Sequence, residues 1–102
     1  MAEYLYMVQM DIPAELESEF NRIYDEDHIP IISALPGVLD VTRYCLVESA
    51  VKGVARFVAL YRIASPDLPN SPAWREAADK GEWKPKIRPH TFNRTHSIYR
   101  QL

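Results

Sequence analysis

The sequence predicts a single α+β domain over residues 1–102, with elements in the order β-α-β-β-α-β around a four-stranded antiparallel sheet. Three observations carry that reading. A length of 102 residues suits one domain and not two. Stretches rich in aromatic and branched residues fall at 3–11, 38–47, 55–63 and 91–100. Between the first and second of these, and between the third and fourth, the pattern changes to helical spacing or to helix-opening chemistry.

Residues 3–11, EYLYMVQMD, contain little turn chemistry and read as a strand. Pro13 then stands where the first turn of a helix tolerates proline, and Glu15, Glu17 and Glu19 suit the positive end of its dipole. Leu16, Phe20, Ile23 and Tyr24 form one apolar stripe at helical spacing. Pro30 is expected to break or kink this helix, and Pro36-Gly37 to end the segment. Strands at 38–47 and 55–63 flank the loop ESAVKG. Ser71 and Pro72 open a short helix through Ala78. The stretch KGEWKPKIRPH reads as irregular, with at most one short turn, before the last strand at 91–100.

This order is the ferredoxin-like split βαβ arrangement. Right-handed crossovers place both helices on one face of the sheet. Alternation along the strands puts apolar residues on both faces. Phe57, Ala59, Tyr61 and Ile63 oppose Val58 and Leu60. Tyr4, Tyr6, Val8 and Met10 oppose Leu5 and Met7. Leu39, Val41, Cys45 and Val47 oppose Val38, Tyr44 and Leu46. Helices cover only one face, so a two-fold homodimer with sheets packed face to face is expected.

Composition excludes several classes. Apolar residues make up 47% and charged residues 25%, which does not suit a disordered chain. The net charge of −2 disfavours a general nucleic-acid binder. Cys45 is the only cysteine, so no disulfide forms within the chain. No run approaches 18 apolar residues, so no membrane-spanning helix is expected, and Met1–Met10 does not resemble a signal peptide. A reducing cytoplasm is the simplest home.

The segment Tyr24-Asp25-Glu26-Asp27-His28-Ile29-Pro30, followed by Leu35-Pro36-Gly37-Val38 and Arg43-Tyr44, and later by Ser71-Pro72-Ala73-Trp74 and Arg88-Pro89-His90, resembles the dimeric α/β-barrel superfamily. Small EthD-like proteins of uncharacterised role are the nearest likeness, over essentially the whole chain. The resemblance implies a homodimer with a pocket in each protomer between helices and sheet. It reaches isomerases, polyketide cyclases, cofactor-free monooxygenases and heme-binding relatives, so function does not follow from it. The heme-binding relatives use longer chains.

His28 is the leading candidate for chemistry. On a helix that reaches residue 28 it extends the stripe of Phe20 and Tyr24 and faces the sheet. Asp25, three residues back, would orient the ring and raise its pKa. Two readings stay open: a general acid or base on a small organic substrate, or a core histidine bonded to a main-chain carbonyl. Six basic residues from Lys80 onward face one acid, Glu82, whereas the first 27 residues carry eight acids and one base, Arg22. This asymmetry either steers an anionic substrate towards Arg88 and His90 or reflects pairing of the two chain ends. Arg88 is the best candidate anchor for a carboxylate or enolate. Tyr4, Tyr6, Tyr24, Tyr44, Tyr61, Trp74 and Trp83 suit a planar ligand and also a plain core, the better reading for most of them; Tyr24, Tyr44, Tyr61 and Trp74 are the ligand candidates, with Trp74 placed to lid a pocket. Arg43 belongs either to an edge ion pair or to a dimer contact.

Metal ligation is not indicated. His90 and His96 would stand roughly 20 Å apart on a strand, and DEDH matches no defined metal motif. No phosphate loop or nucleophile elbow is present, and no cofactor is implied. The expected function is a cofactor-independent isomerase, cyclase, lyase or monooxygenase acting on an aromatic or polyketide-like acid. The alternative is a non-catalytic ligand-binding or accessory dimer.

Overall fold

The structure, a computed structural model, describes residues 3–102. Strands β1 (Tyr4–Asp11), β2 (Val38–Cys45), β3 (Phe57–Ile63) and β4 (Phe92–Arg100) form one sheet in the order β2-β3-β1-β4. All neighbours are antiparallel. Helices α1 (Glu17–Ile23), α2 (Ile29–Ser33) and α3 (Pro72–Ala78) pack against one face, and the whole is a slab of 40 × 35 × 18 Å. This is the expected ferredoxin-like α+β architecture.

The helical stripe folds as its spacing dictates. Phe20 and Ile23 are fully buried and Tyr24 nearly so, against Phe57 and Tyr61 of β3 and with Ile32 of α2 and Ile63. Pro30 does not end the helix. A π turn at Tyr24–His28 joins α1 to α2, and the Ile29 N–H donates to the Tyr24 carbonyl five residues back. Proline lacks an N–H and its ring crowds the carbonyl four residues back. The wider turn absorbs that misfit just ahead of Pro30. Ser71 caps α3 as its sequence indicates, its hydroxyl accepting the Trp74 N–H at 3.2 Å.

Two expectations need correction. The stretch after Gly81 is not irregular: Trp83–Ile87 forms a π turn and Arg88–His90 a 3-10 turn. Trp83 and Ile87, four apart, both turn into the core, a helical pair masked by Pro85 and Pro89. In β2 the register shifts between Val38 and Asp40. That bulge puts Val38, opposite Ile63, on the same helix-covered face as Val41, opposite Tyr61, and leaves Leu39 half exposed.

The uncovered face is apolar only at its centre. Leu5, Met7, Val58 and Leu60 form the middle, with Tyr44 and Tyr99 exposed beside them. Gln9, Thr42, Thr95 and Ser97 interrupt it, and Arg62, paired with Asp40 and Glu3, closes one end. The accessible surface is 6382 Å², somewhat more than the roughly 5,900 Å² that a monomer of this size exposes.

Gly81 holds φ at +71°, and a side chain there would overlap the Asp27 carboxylate, which accepts the Glu82 N–H at 2.8 Å. Gly81→Ala is expected to cost about 2 kcal/mol in urea unfolding. In a double-mutant cycle with Asp27→Ala the double mutant should cost less than the sum of the two single costs.

Candidate functional site

A cleft of about 400 Å³ opens between the helix-covered face of the sheet and the α3-to-β4 connection. Strand alternation supplies its floor. Tyr6 of β1 lies between Tyr61 of β3 and Ile98 of β4, and Val8 lies between Ala59 and His96. The π turn after α1 supplies Tyr24 and His28, α3 supplies Trp74, and the second π turn supplies Trp83. The aromatic rings interlock edge to face: Trp74 meets Tyr6 at 5.5 Å and Tyr61 at 5.4 Å. Arg75, Arg88, Arg94 and Asp79 ring the opening, an excess of positive charge.

His28 is 6% exposed. Its ring stacks on Trp83 at 4.7 Å and meets the edge of Tyr24 at 5.1 Å. Its Nδ1 is sealed from solvent and has no hydrogen-bond partner among the described residues. Burial, then the nearby Arg88 charge, push the imidazole pKa down from 6.5 to about 4, against a smaller opposing pull from Asp27. The ring is therefore neutral at pH 7.

The expected upward shift does not occur, and Asp25 does not orient the ring. Asp25 points away from the cleft and accepts from Arg43 at 2.8 Å. A π turn spreads its residues over a wider circuit, so the three-residue step from Asp25 to His28 no longer returns to the same face. Asp27 instead ties the first helical segment to the second π turn through Glu82. Arg43 faces inward, opposite Ala59, and its guanidinium lies 4.4 Å over the Tyr24 ring.

The remaining candidates divide. Arg88 lines the cleft, held by donation to Asp79 Oδ1 and to the Ala78 carbonyl, each at 2.8 Å. Trp74, Tyr61 and Tyr24 also form its walls. The hydroxyls of Tyr24 and Tyr61 meet at 2.6 Å, and burial pushes the Tyr24 pKa up to about 12 and that of Tyr61 well above its usual value. His90 is exposed on the 3-10 turn outside the cleft. Tyr44 lies opposite Val58 on the uncovered face, 55% exposed. Tyr6 and Trp83, which the sequence marks only as aromatics that suit a planar ligand or a core, also line the cleft, and so do Arg75, Arg94 and His96, which it did not mark as ligand contacts. Arg94 and His96 share one face of β4, 3.3 Å apart, and His96 stacks on Tyr6 at 6.0 Å. Once β4 is paired with β1, alternation counted back from Ile98 places both on the cleft face. Burial and the Arg94 charge lower the His96 pKa. Among the described residues no three His, Cys, Asp or Glu side chains cluster closely enough to hold a metal ion. No helix among them is long and apolar enough to cross a membrane.

No protein-family model and no curated protein matches the chain. Solved structures do. An EthD-family protein from Bacillus halodurans superposes over 100% of both chains with a TM-score of 0.69 at 12% identity. A DABB-family protein with a ferredoxin-like fold from Mesorhizobium loti covers 100% of this chain and 99% of its own, with a TM-score of 0.70 at 14% identity. A dimeric ferredoxin-like protein of unknown function from Thermobifida fusca covers 96% and 90%, with a TM-score of 0.57 at 13% identity. The chain is a ferredoxin-like α+β protein. Its fold is the one seen in these EthD-family and DABB-family proteins.

The unfolded chain protonates His28 near pH 6.5, the folded chain only near pH 4. Stability from the neutral ring is therefore complete above pH 6.5 and falls as the pH drops towards 4. Wild type is expected to lose about 2 kcal/mol from this residue between pH 7 and pH 5. Urea melts of His28→Gln should show most of that loss removed.

Proposed function

We propose that the cleft binds a planar aromatic or polyketide-like carboxylic acid and that His28 transfers a proton on it without a cofactor. One observation carries the reading: a neutral imidazole is built into an aromatic wall beneath a rim of arginines. Planar faces of the ligand stack against Trp74 and Trp83. Its carboxylate meets Arg88, with Arg75 and Arg94 attracting it from solution. Arg88 is one of the groups that depress the His28 pKa, so a carboxylate bound to Arg88 offsets that charge and makes the imidazole a stronger base where substrate is present. This suits isomerisation, cyclisation or lyase chemistry, with oxygenation of an activated ring as the variant. The low proton affinity of the empty site favours a second reading, ligand binding without turnover.

Deuterium exchange separates the two readings. With 4-oxo-4-phenylbutanoate in D2O, wild type should accelerate exchange at the carbon beside the ketone, followed by NMR. His28→Gln should lose at least 100-fold of that acceleration while binding the acid with similar affinity. Binding with no accelerated exchange in wild type supports the second reading.

We also infer that two protomers pack through the uncovered sheet face, whose apolar centre is Leu5, Met7, Val58 and Leu60. A stable interface needs about 800 Å² from each partner, and the flat 40 × 35 Å slab offers such an area. The dimeric relative from Thermobifida fusca supports this. Sedimentation should give twice the chain mass for wild type and a single chain mass for Leu60→Glu. A wild-type monomer at micromolar concentration contradicts it.

A further inference from the structure

The hydroxyls of Tyr24 and Tyr61 leave one hydrogen unspent. Each phenol carries one hydrogen and two lone pairs. The two oxygens are 2.6 Å apart, both side chains are 2% exposed, and both line the cleft. Their mutual bond consumes one hydrogen. Neither hydroxyl has another bond among the described residues. Both phenols stay protonated at ordinary pH because burial disfavours the phenolates.

The surroundings decide which hydroxyl gives and which is left over. The Arg43 guanidinium lies over the Tyr24 ring at 4.4 Å, fixed by Asp25 at 2.8 Å and Asn21 at 2.7 Å. A cation on the ring face draws electron density from the phenol and sharpens its O–H as a donor. Among the described residues no such cation lies over Tyr61; its ring meets Tyr6 at 5.6 Å and Trp74 at 5.4 Å on the cleft side. Either hydroxyl could be the donor on distance alone, and the cation over its ring favours Tyr24 as the one that donates to the Tyr61 oxygen. The Tyr61 hydrogen is left for the cleft, and it is strengthened because its own oxygen is already accepting.

We propose that Tyr61 is an oxygen-binding subsite that donates to a carbonyl or enolate oxygen of the ligand, with Tyr24, Arg43 and Asp25 as positioning residues behind it. The proposal rests on the aromatic-acid reading of the cleft and adds a second polar contact to the arginine rim. In the proton transfer, the C–H bond beside a ligand ketone breaks and its proton passes to the His28 imidazole. The electron pair moves onto the ketone oxygen, and the Tyr61 O–H holds the resulting enolate. Where the carbon that lost the proton also bears a carbon–carbon double bond the anion is a dienolate, and return of the proton from His28 to its far carbon moves the double bond and completes an isomerisation, with no other reactant consumed.

A pair of probes that differ by one oxygen tests this. Fluorene-2-carboxylate and 9-fluorenone-2-carboxylate share a planar skeleton and a carboxylate, and only the second carries the ketone. In calorimetric titrations, wild type should bind the fluorenone acid about tenfold more tightly. Tyr61→Phe should abolish that preference, so that the two acids bind the variant equally, and a cooperative urea transition shows that the variant is folded. Tyr24→Phe should leave a reduced preference of about threefold. Persistence of the full preference in Tyr61→Phe, or its loss only in Tyr24→Phe, overturns the proposal. Equal binding of both acids to wild type overturns it while leaving the aromatic-acid reading in place. Failure of both acids to bind wild type overturns that reading, and this proposal with it.

Discussion

The contact between His28 and Trp83 holds the functional half of the molecule together. The first ring comes from the π turn after α1 and the second from the turn before β4. Their stacking at 4.7 Å ties the two helical layers over the sheet. Trp83 also meets Tyr24 at 4.9 Å and Phe20 at 6.1 Å, so the same indole completes the core beneath α1. One polar bond secures the pairing, from the Glu82 N–H to Asp27, the residue before the histidine. The imidazole is dry because of this packing, and the same turn brings Arg88 near enough to oppose a second positive charge.

That arrangement places unlike properties side by side. Apolar faces line the depth of the cleft, and the positive charge sits at its mouth. Arg88 is steadied by Asp79 and a main-chain carbonyl, so its guanidinium is held in one orientation at the rim. Asp79 is held ionised by the same bond. Arg94 bonds to His96 and so presents its charge from the sheet side. The proposed planar acid is matched to both depth and mouth.

Much of the fold was legible because it depends on period. Strand alternation and the stripe from Leu16 to Tyr24 follow from side-chain geometry alone, and Ser71-Pro72 states a helix start chemically. The failures share a cause, an irregular step of one residue. Pro30 suggests a break, yet a π turn carries the helix through it. The same turn swings Asp25 from His28 to Arg43. A bulge moves Val38 onto the covered face and strands Leu39 outside. Within the site, Trp74, Tyr24 and Tyr61 were visible as aromatics and Arg88 as an unmatched cation. Tyr44 lies outside the cleft on strand parity and His90 on an exposed turn. Arg94 and His96 needed the pairing of β4 with β1, which a single sequence does not display.

The proposed proton transfer depends on an imidazole kept neutral by its surroundings. NMR titration of the histidine ring carbons, with His28 assigned by comparison with His28→Gln, measures that directly. An apparent pKa of about 4 for His28 is the predicted result. A value at or above 6.5, the ordinary one for histidine, would show a solvated or carboxylate-paired ring and would contradict the account.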